Sequence, residues 1–308
     1  MAITTAHAHP AHGHDDAPST TSSKYYVPHE SPWPIYGSVT LFVLMVGACG
    51  WLNDWYGPWI FALGFAMLLG LFGGWFGTVI GESRKGMYDM QVDKSFRMGM
   101  MWFIFSEVMF FAAFFGALLY VRQFAVPWLG GGGVKTFNKL LLWQNFESTW
   151  PTNGPMRVGP RDDGSFETIP AFSLPAINTA ILLLSGVTIT IAHHALREGN
   201  RKILNIFLAA TFLLGFLFVG LQAEEYVHAY TELGLQMSTG IYGSTFFMLT
   251  GFHGFHVTLG AIMLLCIWLR TMSGHFTPQR HFAFEAVAWY WHFVDVVWLG
   301  LFVFVYWV

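Results

Sequence analysis

The stretch FRMGMMWFIFSEVMFFAAFFGALLYV, residues 96–121, decides the fold class. It exceeds the roughly 20 apolar residues that an α-helix needs to cross the hydrocarbon core of a bilayer. Its charged residues are Arg97, close to its start, and Glu107, which lies about 15 Å further along a helix that rises 1.5 Å per residue. Because a carboxylate at mid-membrane depth must be protonated, paired or next to water, Glu107 is our first candidate functional residue.

The composition of the whole chain is typical of a membrane protein. Of its 308 residues, 54% are hydrophobic and 11% are charged, whereas a soluble domain carries about 25% charged residues. This composition excludes a disordered chain, a nucleic-acid-binding protein and a secreted scaffold held by disulfides. The two cysteines, Cys49 and Cys266, lie in apolar runs and are interpreted as packing residues.

Six further stretches of the chain are long and apolar enough to span a membrane. Barrel strands would be about 10 residues long and would alternate in polarity, so helices are the predicted spanning element. We therefore predict an all-α integral membrane protein with seven transmembrane helices. The predicted spans are residues 34–52, 59–80, 96–121, 172–192, 203–225, 241–269 and 282–308.

The distribution of Lys and Arg predicts the orientation. The N-terminal tail and the second, fourth and sixth connections carry basic residues, whereas the first and fifth connections carry none. The third connection also carries basic residues, but at about 50 residues it is long, and long loops weigh less in the rule. Since cytoplasmic loops are enriched in Lys and Arg, the N-terminus should be cytoplasmic and the C-terminus periplasmic. The predicted organisation is a disordered cytoplasmic tail (1–33), helices 1 and 2 (34–80), a cytoplasmic loop (81–95), and helices 3 to 7 (96–308) with an extracytoplasmic loop (122–171).

Two extramembrane segments have no motif that assigns a function. The tail has no apolar signal-peptide core and carries His7, His9, His12 and His14, which would chelate a metal only loosely. Glycines and prolines predict irregular structure over most of loop 122–171, with a short interfacial helix at 140–143. This loop is interpreted as a cap over helix ends or, alternatively, as a partner contact.

Several ionisable residues of the sixth and seventh spans lie at a depth similar to that of Glu107. They are His253, His256, His292 and Asp295. We predict that they form a buried polar layer in which Glu107 is bonded to His253 or His256. The three histidines of this group could also bind a metal ion. A membrane di-iron enzyme, however, needs more histidines, arranged in closely spaced motifs. We therefore expect no catalytic residue and no metal in this chain, and we assign His193 and His194 to the negative end of a helix dipole.

At these residues the sequence resembles subunit III of the haem–copper cytochrome c oxidases. The resemblance runs from about residue 31 to the C-terminus, and several of its motifs are long and unusual. The matching motifs are SPWPI (31–35), FRMGM (96–100), SEV (106–108), LSGV (184–187), AHHA (192–195), LQA (221–223), YGSTFF (242–247), GFHGFH (251–256), HF (281–282), FE (284–285) and AWYWHFVDVVW (288–298).

The resemblance implies an architecture and a role. The first two helices would be separated from the last five by a V-shaped cleft filled with phospholipid. The chain would hold no haem or copper and would dock on oxidase subunit I, in a complex that also contains subunit II. Its implied role is to stabilise subunit I against inactivation during turnover and to support proton uptake, within a complex that couples oxygen reduction by cytochrome c to proton pumping.

The resemblance also implies roles for single residues. Glu107 matches the embedded family carboxylate that reacts with carbodiimide. Glu82 and Arg270 match positions near lipid headgroups, and Trp75 is a further candidate lipid contact. Where relatives can carry an arginine after the second span, this chain has Gly81, so one headgroup contact is expected to be rearranged or lost.

Two alternative functions remain open on the sequence alone. The same subunit would accompany a quinol oxidase, because the electron-donor site lies on other chains. A stand-alone proton-coupled transporter would use Glu107 and Asp295 as relays, but the paired broken helices of such transporters are not visible. We expect the cytoplasmic membrane of an aerobic bacterium rather than the mitochondrial inner membrane.

Overall fold

The computed structural model describes residue 26 and residues 30–307. Most of the predicted tail 1–33, including its four closely spaced histidines, lies outside the described residues, so its predicted disorder stays a prediction. Within the described part of the chain the regular elements are helices and no strand occurs.

In the described residues, seven long α-helices and one short α-helical turn are joined by short π-helical and 3-10 turns. Each long helix is long and apolar enough to cross a membrane, which confirms the predicted all-α membrane fold with seven spans. The elements are α1 (Trp33–Leu52), α2 (Trp59–Arg84), α3 (Met90–Tyr120), the single turn α4 (Val126–Leu129), α5 (Leu174–Arg197), α6 (Arg201–Thr231), α7 (Gly240–Met272) and α8 (Phe282–Leu301).

The chain divides into two compact units, Met1–Lys94 and Ser95–Val308. In the first unit α1 and α2 approach closely at two glycines. A Cβ added to Gly64 would lie 2.6 Å from the Cα of Leu44, and one added to Gly47 would lie 2.4 Å from the backbone nitrogen of Phe61. Small residues allow such backbone contact, which is the main source of helix association in lipid. The lipid-filled cleft implied by the resemblance stays a prediction.

The predicted cytoplasmic loop 81–95 is shorter than expected, because α2 continues to Arg84 and α3 begins at Met90. The chain turns at Gly86, whose φ of +71° is in the left-handed region that glycine tolerates. Asp89 Oδ1 then accepts a hydrogen bond of 2.9 Å from the backbone N–H of Val92 and caps the new helix. Polar residues at helix ends were wrongly assigned to the loop, since hydropathy marks the edge of the membrane and not the end of the helix.

In the second unit α5 packs on α6, α6 on α7, α7 on α8, and α8 on α5. Two fully buried tryptophans of α8 lie at the centre of this arrangement. Trp291 Nε1 donates to Ser185 Oγ, and Trp298 Nε1 donates to Thr179 Oγ1, both at 2.9 Å. These bonds satisfy the indole N–H groups inside the bundle and fix α8 against α5.

The loop predicted at 122–171 also begins later than expected. The helix of the third span continues as a π-helical turn, Val121–Ala125, and then as α4. Pro127 lies in the first turn of α4, directly after the π-helical turn, and the chain remains helical there. The glycine run that starts at Gly130 ends it. A further π turn, Asn138–Leu142, lies close to the predicted interfacial helix.

The rest of this loop covers the extramembrane ends of α6 and α7. The backbone N–H of Glu167 donates to the carbonyl of Leu233 at 2.9 Å, and that of Tyr242 donates to the carbonyl of Thr152 at 3.2 Å. The Trp150 ring packs against the Tyr242 ring, with centroids 5.5 Å apart. The loop is therefore a cap over helix ends, as one of the two interpretations expected.

Candidate functional site

Glu107 lies on α3 and meets His256 of α7 inside the predicted membrane region. Glu107 Oε2 is 3.0 Å from His256 Nε2, and His256 Nδ1 is 2.6 Å from the carbonyl oxygen of Phe252. Because a carbonyl can only accept, Nδ1 carries a proton, and one further proton lies between Nε2 and the carboxyl. The site therefore holds either a neutral acid beside a neutral imidazole or a carboxylate beside an imidazolium.

The exposure of this pair places it at the edge of the five-helix unit. The side chain of Glu107 is 22% exposed within this chain and that of His256 is 9% exposed. Phe111 packs on the imidazole with ring centroids 5.0 Å apart. The carboxyl group is therefore partly sheltered by its partner and by aromatic rings.

His253 does not join this pair. Its Nε2 is 3.2 Å from the carbonyl oxygen of Val294 on α8, and its ring lies against Trp298 with centroids 5.0 Å apart. It is fully buried, and its Nδ1 has no hydrogen-bond partner among the described residues. His253 therefore links α7 to the backbone of α8 and does not contact Glu107.

His292 and Asp295 lie on another side of α8, in a groove against α5. The groove encloses about 390 Å³ and is lined by these two residues, by Gly186 and Thr190 of α5, and by apolar side chains. His292 Nδ1 is 3.9 Å from Asp295 Oδ2. Asp295 Oδ1 is buried and has no hydrogen-bond partner in the described part of the chain. Gly186 leaves room for this carboxylate, because a Cβ there would lie 2.7 Å from Asp295 Oδ2.

The prediction of a single buried polar layer is therefore wrong in two respects. The five residues fall into a Glu107–His256 pair, a separate His253 and a His292–Asp295 groove, and the His292 side chain is 47% exposed rather than buried. Position along a helix predicts depth well, but each residue also turns about 100° around the axis. Without the packing angles, sequence alone does not show which groups at one depth face each other.

The three residues expected near lipid, Glu82, Trp75 and Arg270, differ from one another in their surroundings. Glu82 accepts hydrogen bonds from the hydroxyls of Tyr26, at 3.0 Å, and Tyr88, at 2.6 Å. Burial, followed by the hydrogen bond to Glu82, raises the pKa of Tyr88. The Trp75 side chain is exposed on α2, where it can contact lipid.

Arg270, near the end of α7, is the third of these residues. Its guanidinium stacks on the Phe276 ring, 4.6 Å from the ring centroid, and its Nε is buried with no hydrogen-bond partner among the described residues. A phosphate oxygen would supply the missing acceptor.

The sequence analysis missed a charged cluster at the membrane end where α3 and α8 begin and α5 ends. Glu285 is at its centre: Oε2 pairs with the Arg97 guanidinium, and Oε1 lies 3.1 Å from His281 Nε2 and 3.7 Å from His193 Nε2. The cluster could not be identified from the sequence because its members lie at the ends of three different helices, and His193 was interpreted only through the helix dipole.

Comparisons with known proteins identify the family of the chain. The family model of cytochrome c oxidase subunit III matches residues 23–132 and 137–308. The chain belongs to the cytochrome c oxidase subunit III family. This finding confirms the resemblance stated above.

Individual relatives align with this chain over nearly their whole length. The chain is 40% identical to the cytochrome c oxidase subunit 3 of Squalus acanthias, over 284 residues that cover 92% of this chain and 96% of the relative. The same identity and coverage hold for the subunits 3 of Carassius auratus and Oryctolagus cuniculus. This subunit III is thus a multi-pass membrane protein and part of an oxidase complex.

Proposed function

We propose that this subunit III is a non-catalytic subunit of a proton-pumping haem–copper oxidase that passes electrons from cytochrome c to oxygen. Haem and copper would lie on partner subunits. This chain would dock on subunit I, in a complex with subunit II, stabilise subunit I during turnover, bind phospholipid and support proton uptake. The relatives described above are all named as cytochrome c oxidase subunits, which favours cytochrome c over quinol as the electron donor.

The observation that carries the non-catalytic role is the state of the mid-membrane histidines. Both nitrogens of His256 already have partners, Glu107 and the carbonyl of Phe252. His253 Nε2 is directed at the carbonyl of Val294, and its unpartnered Nδ1 is fully buried and so does not adjoin an open pocket. In the groove, His292 Nε2 lies 3.5 Å from Thr190 Oγ1. A haem or copper ligand needs a free nitrogen beside an open pocket. Histidines whose nitrogens bond to a neighbouring helix hold the helices together, which supports a structural role for this chain.

The proposed contact with subunit I is supported by the His292–Asp295 groove. Asp295 Oδ1 is buried without a partner among the described residues, and a buried acceptor left unsatisfied costs about 1–3 kcal/mol. A transmembrane helix of subunit I that brought a hydrogen-bond donor into the groove would remove this cost. A helix that inserts there would also cover the exposed apolar side chains of Leu183 and Val187.

Proton uptake is proposed for one other place and lipid binding for two. Glu107 and His256 share one proton, which can move between them without creating a net charge in lipid. A proton relay through this pair would have to take up one proton as it releases another. Arg270, stacked on Phe276 with an unpartnered Nε, is the proposed phosphate contact, and Glu82 with its two tyrosines is the proposed neighbour of a second headgroup.

The excess of basic residues on one side supports an N-terminus on the cytoplasmic side of the membrane. With that orientation, the Glu285 cluster faces the side from which protons are taken up. A bacterial rather than a mitochondrial membrane stays a prediction, which the animal relatives named above do not support.

The test is to purify the complex in native lipid through a tag on this chain and to measure haem per chain. We expect a haem-bearing partner, identified as subunit I by mass spectrometry. Gly186→Leu should lower the haem-to-chain ratio, because its side chain fills the groove. The matched control is Gly220→Leu on α6, where a Cβ has no neighbour within 4 Å. Equal haem ratios for both variants would exclude the groove as the docking site.

A second measurement tests the stabilising role. Oxidase prepared without this chain should begin with nearly normal activity and then lose oxygen consumption during turnover, whereas the complete complex should not. If this chain purifies without haem-bearing partners, or if the complex without it is equally durable, the proposed function is wrong.

A further inference from the structure

We propose that His193, His281 and Glu285 form a binding site for a divalent cation of the zinc type. This site goes beyond the proposed function, because it involves neither the redox centres nor docking on subunit I. Among the described residues these three are the group of His, Cys, Asp and Glu whose possible ligand atoms converge, all within 4.8 Å of one another. They come from two helices, α5 and α8, that the chain separates by two other spans.

The distances fit a zinc ion with little movement. Zn–N and Zn–O bonds of about 2.0–2.2 Å at tetrahedral angles put neighbouring ligand atoms about 3.3–3.5 Å apart. Glu285 Oε1 lies 3.1 Å from His281 Nε2 and 3.7 Å from His193 Nε2. The two nitrogens lie within 4.8 Å of each other, so small rotations of the side chains would bring all three atoms to bonding distance, with the fourth position left for water.

The hydrogen bond made by the other ring nitrogen of His281 supplies a further argument for a metal site. Its Nδ1 is 3.1 Å from the carbonyl oxygen of Thr277, so Nδ1 donates its proton there. In a neutral imidazole Nε2 is then a bare lone pair, directed at a carboxylate oxygen that is also an acceptor. Two lone pairs at this distance are bridged by a proton, as at Glu107 and His256, or by a metal cation in the same place. A hydrogen bond from the other ring nitrogen to a carbonyl is also what orients histidine ligands in metal sites.

The second oxygen of the carboxylate is already fixed by Arg97. Arg97 pairs with Glu285 Oε2 and lies over the Phe282 ring, 5.4 Å from its centroid. This pairing directs Oε1 toward the two histidines. It also places a positive charge beside the site, so the affinity for a cation should be moderate, and the cation should exchange with solution rather than be permanently held.

The ligand set selects the type of ion. Two imidazoles and one carboxylate suit Zn²⁺, whereas Mg²⁺ and Ca²⁺ prefer sites built from oxygen ligands alone. The side chains of His193, His281 and Glu285 are 29%, 10% and 15% exposed, so the site is sheltered and still reachable from the membrane surface. A bound ion would join the last turn of α5 to the first turn of α8.

The test uses the intact oxidase complex, stripped of loosely bound metal with a chelator and titrated with Zn²⁺ against a competing zinc dye. His281→Gln and His193→Gln should each weaken one zinc site at least about 10-fold. His194→Gln is the matched control, because this exposed neighbour on the same turn of α5 is not a member of the group. The haem-to-chain ratio verifies that each variant complex is assembled.

X-ray absorption at the zinc edge provides a second measurement. The zinc signal that is present in the parent complex and absent from His281→Gln should show nitrogen and oxygen ligands at about 2.0–2.2 Å. The proposal is overturned if the parent complex and His281→Gln bind zinc equally, if His194→Gln loses as much affinity as His281→Gln, or if the lost signal has sulfur ligands. None of these outcomes depends on whether the chain stabilises subunit I, so failure here is distinct from failure of the proposed function.

Discussion

Replacing Gly260 by alanine should destabilise the five-helix unit through a contact with Trp291. A Cβ at position 260 would lie 2.8 Å from Trp291 Cε3 and 2.9 Å from Cζ3. The indole cannot easily shift, because its N–H is bonded to Ser185 and its ring also lies against Gly215. One methyl group must therefore fit into space that the ring already occupies.

The size of the effect follows from a matched pair of variants on the same helix. A Cβ at Gly254 of α7 has no neighbour within 4 Å. Both alanines gain the same helix preference, up to about 1 kcal/mol over glycine. The difference between the variants therefore isolates the packing cost, about 1–3 kcal/mol, or about 5- to 150-fold in the unfolding equilibrium.

The assay is the unfolding of the purified chain in detergent micelles that are titrated with a denaturing detergent, followed by tryptophan fluorescence. Gly260→Ala should unfold at a lower denaturant fraction than the parent, and Gly254→Ala at an equal or higher one. If both variants are equally stable, the close fit of Trp291 against α7 does not determine the stability of this unit, and the reasoning is refuted.

Three other predictions address single contacts. His256→Phe should shift the infrared carbonyl band of Glu107, because it removes the partner 3.0 Å away; an unchanged band would mean that the carboxyl does not need this histidine. Burial and the hydrogen bond to Glu82 raise the pKa of Tyr88, so its phenol should stay protonated above about pH 10, where free tyrosine ionises. The stabilisation from this contact should be complete below about pH 10 and should fall progressively as the pH rises from there through the raised pKa. The ultraviolet difference between the parent and Tyr88→Phe measures this, and ionisation near pH 10 would contradict it. Asn200→Ala removes the side-chain cap of α6, which accepts from the N–H of Ile203, and should cost about 1 kcal/mol in the same micelle assay; no loss of stability would show that water replaces the cap.

The number and type of the spanning helices could be predicted from the sequence because apolar length alone decides them. Their ends could not. Glu82 and Arg84 continue α2 beyond the apolar run, and the third span extends past Arg122 until Gly130 stops it. A charged residue marks where the bilayer ends, but a helix ends where its backbone turns.

The candidate site was predictable in part, because the position of a residue along its helix gives its depth in the membrane. The depth of Glu107 indicated a histidine partner on the sixth span, and the structure selects His256 because that ring faces α3, whereas His253 faces α8. The Glu285 cluster was not predictable, since it depends on which ends of three helices meet. Contacts between residues that are far apart in the sequence can be identified only from the packed structure.

The capping loop also has a practical consequence for labelling. Residues 150–167 make backbone bonds and ring contacts with the α6 and α7 ends, so an inserted epitope there would pull the cap apart. Val134, by contrast, is 91% exposed, directly after a run of glycines. A short peptide tag at that position would leave the bundle undisturbed, and antibody access from one face of sealed vesicles would then reveal the sidedness of the whole chain.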